Sequence, residues 1–439
     1  MSRTCQYTFA GRSGPAEWSF DETDLAVFPS GGRPLVFPVK EMGGLSGDGF
    51  TIDIAVPGMA AAAAAPGAAP APALTLTKLG AEGPTLLDAL QRTWLVARAK
   101  ALRLGGTGEG KPFAGMVSGL GSGASAWGGG APGGGATTGA AASEPFRALL
   151  FEDVMVVARA GRDLDPVFIA LTEDISFDDA TYSVRVAEWP ARQIAFSKLG
   201  KQTDEFIDAL RKRRQALADE GSKNLAATVP GLSSAYRGIL SGDWPPGRFR
   251  SLEDLDSLCP GFEQAFRSTW LANCVRKDEG AFLLDWAGAG ACWLGCSREE
   301  AESGEPLLWA LAEKNGTWFL EALTGEDRAT YHFAGGAEMP ALGSRLLCAP
   351  QFSKEALYGP PEMLTGDKAD LAIAAQHLAF LTALRAAFQG RVIHNSPESW
   401  QADMNVAAGL AAAPPAAPAS ATDAAAPGAP AAQAPDPAS

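Results

Sequence analysis

The tetrapeptide Thr77-Lys78-Leu79-Gly80 returns as Ser197-Lys198-Leu199-Gly200. The match runs on without a gap, from Leu86-Leu87-Asp88-Ala89-Leu90 to Phe206-Ile207-Asp208-Ala209-Leu210, at a spacing of 120 throughout. A fixed spacing across a strand end, a turn and a helix start marks a duplicated supersecondary unit. Upstream, Phe9-Ala10-Gly11 matches Phe113-Ala114-Gly115 at a spacing of 104. The longer low-complexity insert of the second unit, Met116 to Glu144 against Met59 to Ala73, nearly absorbs that difference. Two units of almost equal length are therefore expected once the inserts are set aside, each unit carrying one insert as a spacer.

Each unit reads as short strands followed by one helix. In the first, Ala16 to Phe20, Asp24 to Phe28, Pro34 to Val39, Phe50 to Ala55 and Leu74 to Thr77 are β-branched or aromatic runs between Gly/Pro/Ser/Asp clusters. A helix follows from Pro84 to Leu104, stopped by Gly105. In the second, Arg147 to Ala158, Val167 to Ala170, Tyr182 to Ala187 and Gln193 to Ser197 are strand candidates. Its helix starts at Thr203, a candidate N-cap, and ends near Gly221.

The third region is more helical. Ser251-Leu252-Glu253-Asp254 fits a capping box, opening a helix that Pro260 interrupts. Ala281 to Asp285, Pro306 to Ala312, Thr317 to Leu323 and Ala329 to Phe333 read as strands, and Lys368 to Gln389 as one long helix stopped by Gly390. The expected fold class is α+β: tandem antiparallel β-sandwich or barrel units, each closed by a C-terminal helix, plus this third region. The expected divisions are a first unit at 1–104 with an insert at 59–73, and a flexible Gly/Ala-rich segment at 105–144. A second unit follows at 145–221, with 112–115 as a candidate first strand, then a third α+β unit at 233–400 and a disordered Ala/Pro tail at 407–439.

Charge excludes some functions. Among 439 residues, 36 are basic and 50 acidic, a net charge of −14. Nucleic-acid binding without sequence preference needs basic surface, as does docking on an anionic membrane. Met1 to Gly14 has no apolar core of a secretory signal, and no run of 18 strongly apolar residues exists, so a cytoplasmic protein without integral membrane association is expected. Six cysteines are ordinary usage and are expected as free thiols.

The strand, turn and helix-start residues Phe196-Ser197-Lys198-Leu199-Gly200, Asp204-Glu205-Phe206 and Ala209-Leu210 carry a family resemblance. So do Ala329-Thr330-Tyr331-His332-Phe333 and Gly390-Arg391-Val392-Ile393-His394 with Trp400. The chain resembles uncharacterised bacterial proteins with tandem pleckstrin-homology-like (PH-like) domains, over roughly residues 5 to 400. The resemblance implies binding of proteins, peptides or acidic lipid headgroups, and brings no catalytic residue or cofactor. It also implies a basic first loop for lipid binding, where Arg12-Ser13-Gly14-Pro15 offers one basic residue and so argues against a lipid headgroup.

Three other patterns bear on chemistry. Gly105 to Pro112 approaches a P-loop, but Pro112 stands where a hydroxyl is needed and the segment follows a helix. Cys292 and Cys296 have the spacing of a zinc pair, with His332 as a third candidate ligand, but no second close pair is present and core packing explains such thiols. Arg211-Lys212-Arg213-Arg214 is the one basic run, either a solvated helix face or a site for an anion or an acidic partner. The leading expectation is a non-catalytic interaction or scaffold protein with an unidentified protein or peptide partner. The alternatives are a metal- or cysteine-dependent enzyme or zinc protein built on the third region, and anion or lipid-headgroup binding through the basic run.

Overall fold

The computed structural model describes residues 3–411, apart from 22, 43, 57–72, 105–109, 120–142, 160–163, 275, 301–305, 325–327 and 350–353. The tail beyond residue 411, most of the insert at 59–73 and much of the segment 105–144 lie outside the described residues.

Period-two burial builds the first sheet from β1 Thr4–Phe9, β2 Arg12–Phe20, β3 Asp24–Pro29, β4 Leu35–Pro38, β5 Gly44–Gly47, β6 Thr51–Ala55 and β7 Ala73–Thr77. In β6, for example, Ile52 and Ile54 are buried while their neighbours face partly outward. The order is β4-β3-β2-β1-β7-β6-β5, with antiparallel pairing between neighbours. Helix α1, Gly83–Ala101, then buries Leu86, Leu90, Trp94 and Leu95.

The second sheet comprises β8 Lys111–Ser118, β9 Glu144–Leu150, β10 Val154–Arg159, β11 Asp165–Phe168, β12 Thr172–Asp178, β13 Ser183–Glu188 and β14 Arg192–Ser197, followed by helix α2, Thr203–Thr228. Its order, β11-β10-β9-β8-β14-β13-β12, reproduces the first sheet position for position. The repeated tetrapeptide is the turn between last strand and helix. Lys78 and Lys198 take left-handed φ of 56° and 54°, and Gly80 and Gly200 take 61° and 59°. Between them Leu79 and Leu199 are buried. Two left-handed residues reverse the chain while the leucine anchors the turn, and glycine adopts that backbone without the steric cost of a Cβ.

The structure corrects the upstream match. Tyr7 pairs with Leu76, and Val117 pairs with Phe196 in the equivalent place. That register makes Gly119, not Phe113, the counterpart of Phe9. The inserts also leave from different places: residues 56–72 link β6 to β7, whereas 119–143 link β8 to β9. Part of the expected flexible segment, Lys111–Ser118, is a strand paired on both sides. Arg12-Ser13-Gly14-Pro15 is the start of β2 rather than a loop; Ala10 and Gly11, at φ 48° and 76°, make the first turn.

Helix α2 also departs from expectation. Thr203 is its first helical residue, and its hydroxyl donates to the Gly200 carbonyl at 2.9 Å. The helix passes through Gly221 because that position faces Pro246: a Cβ there would lie 3.3 Å from Pro246 Cδ. Close approach, not termination, explains this glycine.

The third region opens with α3 Ser234–Asp243, β15 Arg250–Ser251, α4 Leu252–Leu258, α5 Phe262–Phe266 and α6 Lys277–Ala287. Ser251 caps α4 through a 3.0 Å bond from the Asp254 amide. Next come β16 Cys292–Glu300, β17 Pro306–Lys314, β18 Thr317–Ala322, β19 Ala329–Ala334, α7 Met339–Cys348, α8 Glu355–Tyr358, α9 Ala369–His377, α10 Ala379–Ala387, β20 Phe388–Ile393 and α11 Pro397–Ala407. The six strands β15 to β20 lie in sequence order. Both faces of this sheet are apolar: Leu308, Ala310 and Ala312 pack with Phe262, Phe266 and Leu283, while Trp309 and Leu311 join the cluster of Leu342, Leu346 and Leu384. This sheet, with its strands in sequence order and helices on both faces, does not repeat the first two units; it is the α+β region expected at 233–400.

Two expectations fail here for identifiable reasons. Ala281 to Asp285 is the middle of α6, because a short apolar run fits a buried helix as well as a strand. The expected helix at 368–389 breaks at Leu378, whose ψ is 111°, and gives way to β20, because β19 needs a partner on its open edge. The three regions share one apolar cluster. Buried ions also join the second to the third, with Arg345 Nη2 at 3.1 Å from Glu188 Oε1. Among the described residues no helix is long and apolar enough to cross a membrane.

Candidate functional site

Helix α2, the edge strand β12 and the end of α3 enclose a groove of about 480 Å3. The sheet side supplies Ile169, Ala170, Thr172, Asp174 and Ile175; α2 supplies Arg211, Arg214, Leu217 and Ala218. Ser241, Gly242 and Pro245 close the far wall. The basic run therefore divides. Arg211 Nη2 donates to the Ile175 carbonyl at 3.1 Å while the guanidinium lines the groove. Arg213 Nε donates to the Phe151 carbonyl, outside it. Lys212 is exposed. Arg214 faces the groove and is half-buried, with no hydrogen bond or ion pair among the described residues.

The same place in the first unit is closed. At the spacing of 120, Trp94 stands for Arg214 and Arg98 for Ala218. Trp94 is 2% exposed, and its indole N–H donates to the Met42 carbonyl at 2.8 Å. Arg98 is 1% exposed, and its Nη1 donates to the Lys40 carbonyl at 3.0 Å. Lys40 lies within, and Met42 ends, the turn Val39–Glu41 before β5, where Ala170 lies within, and Thr172 ends, the turn Ile169–Leu171 before β12. Two large side chains thus fill in one unit the space that a cation and a methyl group leave open in the other.

The metal and nucleophile candidates are dispersed. Cys292 and Cys296 lie on one strand, where four residues span about 13 Å, while two sulfurs on one zinc are at most about 4.6 Å apart. The register Cys292↔Ala312, Ala312↔Phe319, Phe319↔His332 puts His332 three strands from Cys292, about 14 Å away. No group of three or more His, Cys, Asp or Glu is placed to hold a metal among the described residues. Burial pushes the Cys292 and Cys296 thiols up to about 12, which withholds the thiolate a nucleophile or ligand requires. Burial also lowers the His332 pKa, against a hydrogen bond with Gln389 that raises it.

A polar cluster lies under the third sheet; the resemblance named its Thr330, His394 and Trp400, but no sequence pattern joined them to Glu321 and Arg276. Glu321 and Thr330 are fully buried, with Arg276, His394 and Trp400 around them. Thr330 Oγ1 donates to Glu321 Oε2 at 2.5 Å and accepts from Trp400 Nε1 at 2.8 Å. Arg276 Nη1 donates to His394 Nδ1, so the neutral ring carries its proton on Nε2, which faces Glu321 Oε2 at 3.2 Å. A histidine base needs its nucleophile on one nitrogen and its orienting acid on the other. Here Thr330 and Glu321 share Nε2, and the threonine proton is already held by the carboxylate. The cluster ties β18, β19, the end of β20, α6 and α11 together.

No protein-family model matches the chain, and no curated protein matches it. The groove of the second unit is a concave site that brings Arg211 and Arg214 of the basic run beside the aliphatic side chains of Ile169, Ile175 and Leu217.

Proposed function

We propose that the protein is a non-catalytic interaction or scaffold protein, acting in the cytoplasm, whose first two units are PH-like modules. The second unit holds a peptide or protein partner in the groove between α2 and β12. The repeated seven-strand order followed by a helix supports the PH-like reading. One observation carries the binding site: Trp94 and Arg98 fill the first unit's groove, while Arg214 and Ala218 leave the second open at about 480 Å3. That volume lies within the range of sites that hold ligands. The single arginine at the start of β2 and the net charge of −14 weigh against a lipid headgroup.

The test is selection of displayed random peptides on the full immobilised chain, followed by binding to the double variant Arg214→Trp, Ala218→Arg. That variant copies the first unit's filling. The expected result is enriched peptides whose affinity for the folded double variant falls about tenfold or more. Failure to enrich any peptide, or equal binding to both proteins, would overturn the reading.

A further inference from the structure

Resting on that reading, we infer that the groove's ligand is an acidic peptide segment, with an Asp or Glu carboxylate meeting Arg211 and Arg214 beside an aliphatic side chain. Residues three apart share one helix face, and like charges there repel. An anion bound between the two guanidinium groups relieves that repulsion. Several enclosed arginines elsewhere in this chain have acids, while others, such as Arg98 and Arg385, have backbone carbonyls. Arg159 meets Glu144 and Asp165, Arg192 meets Asp165 and Glu188, Arg248 meets Glu173, and Arg345 meets Glu188. Arg214 is half-buried and has none among the described residues, in a chain with 50 acids to 36 bases.

The rest of the groove narrows the choice. Asp174 lines it without an ion pair to either arginine, so the lining carries two positive charges and one negative. A monoanion balances that sum; a phosphate dianion would leave excess negative charge beside Asp174. The planar guanidinium fork matches a carboxylate with two parallel hydrogen bonds. Ile169, Ile175 and Leu217 offer the aliphatic wall. The Ile175 carbonyl on the strand edge is already taken by Arg211, so side chains read the ligand there rather than an added strand.

The experiment uses the peptides enriched on the full chain, with isothermal titration at about 50 and 500 mM salt. The expected result is a shared Asp or Glu next to Leu, Ile or Val. Affinity falls about tenfold when that acid becomes the amide, and likewise in Arg214→Gln and Arg211→Gln. Arg214→Lys recovers part of it, Lys212→Gln leaves it unchanged, and high salt weakens it. Peptides that the double variant rejects but that carry no acid, or that ignore Arg214→Gln, would overturn the carboxylate and leave the peptide site standing. A phosphopeptide binding about tenfold tighter than its acidic form would also overturn the carboxylate. Glutarate alone binding as tightly as the peptide would overturn the peptide. Absence of any peptide sensitive to the double variant would sink the underlying site itself.

Discussion

The first and second units share a strand order, a turn and a helix start, yet differ in what their helix does to the strand beneath it. Helix α1 is sealed onto its sheet: Trp94 and Arg98 are buried and bonded to the Met42 and Lys40 carbonyls. Helix α2 stands over the same place with Arg214 and Ala218 and leaves a groove of about 480 Å3. What makes the fold and what makes the site are therefore carried by different residues. The Lys-Leu-Gly turn is kept in both units because it alone reverses strand into helix, with glycines at φ 61° and 59°. The helix face about three turns further on is free to be filled or left open, because the buried side chains of the earlier turns, Leu86 and Leu90 or Phe206 and Leu210, already hold the core.

The sharpest way to break this comparison is to empty the first unit. Trp94→Ala removes a buried indole and orphans the Met42 carbonyl, and should cost about 3–5 kcal/mol in urea unfolding. The emptied variant should resemble the second unit in shape but not in stability, because the Met42 carbonyl and the apolar side chains beneath Trp94 lose their partner. A loss below about 1 kcal/mol would mean that Trp94 only rests on the sheet, and the contrast between sealed and open units would fail.

The third region shows how the chain treats charge when no groove is involved, and pH exposes it. Burial raises the Glu321 carboxyl above its ordinary range, opposed by His394, Thr330 and Arg276. Between the ordinary carboxylate range and that raised value, the folded protein keeps a proton that the unfolded chain has released. Stability from this group is thus complete at low pH and falls as pH rises through the window, by at most about 1.4 kcal/mol per pH unit. Unfolding followed across pH should show this slope in the natural protein and lose it in Glu321→Gln. A slope unchanged in the variant would place the ionisation elsewhere.

The shared turn should respond alike in both units. Gly80→Ala and Gly200→Ala each put a Cβ into a left-handed backbone, and each should cost about 1–2 kcal/mol. A cost at one site and none at the other would mean that the repeat is a resemblance of sequence without a shared strain.

That turn was legible because a backbone conformation dictated its residues. The strand alternation at Thr51 to Ala55 was legible for the same kind of reason: a half-buried strand shows its period. Strand β20 was not, since its place is set by the open edge of β19 and not by its own pattern. The Phe-Ala-Gly match misled because three small or common residues recur without structural cause; only pairing with β7 and β14 fixes the register. The groove lay between these cases. The spacing of 120 already set Trp94 against Arg214, an aromatic against a cation, but the space between helix and strand appears only when both are folded. The cluster around Glu321 gave no local signal, because Arg276, Thr330 and His394 are far apart along the chain.

The smallest expected effect tests the open side of the comparison. Arg214→Ala removes a half-buried cation that has no bond among the described residues, so stability should change by no more than about 0.5 kcal/mol in urea unfolding. The charge argument even favours a slight gain, since Arg211 lies three residues away on the same helix face. The corresponding truncation in the first unit is the most damaging of the set. If Arg214→Ala were instead as costly as Trp94→Ala, the arginine would be a structural filler like its counterpart, and the second groove would be closed in solution. A near-neutral result together with lost peptide binding would show that the second unit keeps this cation for a partner and not for its own fold.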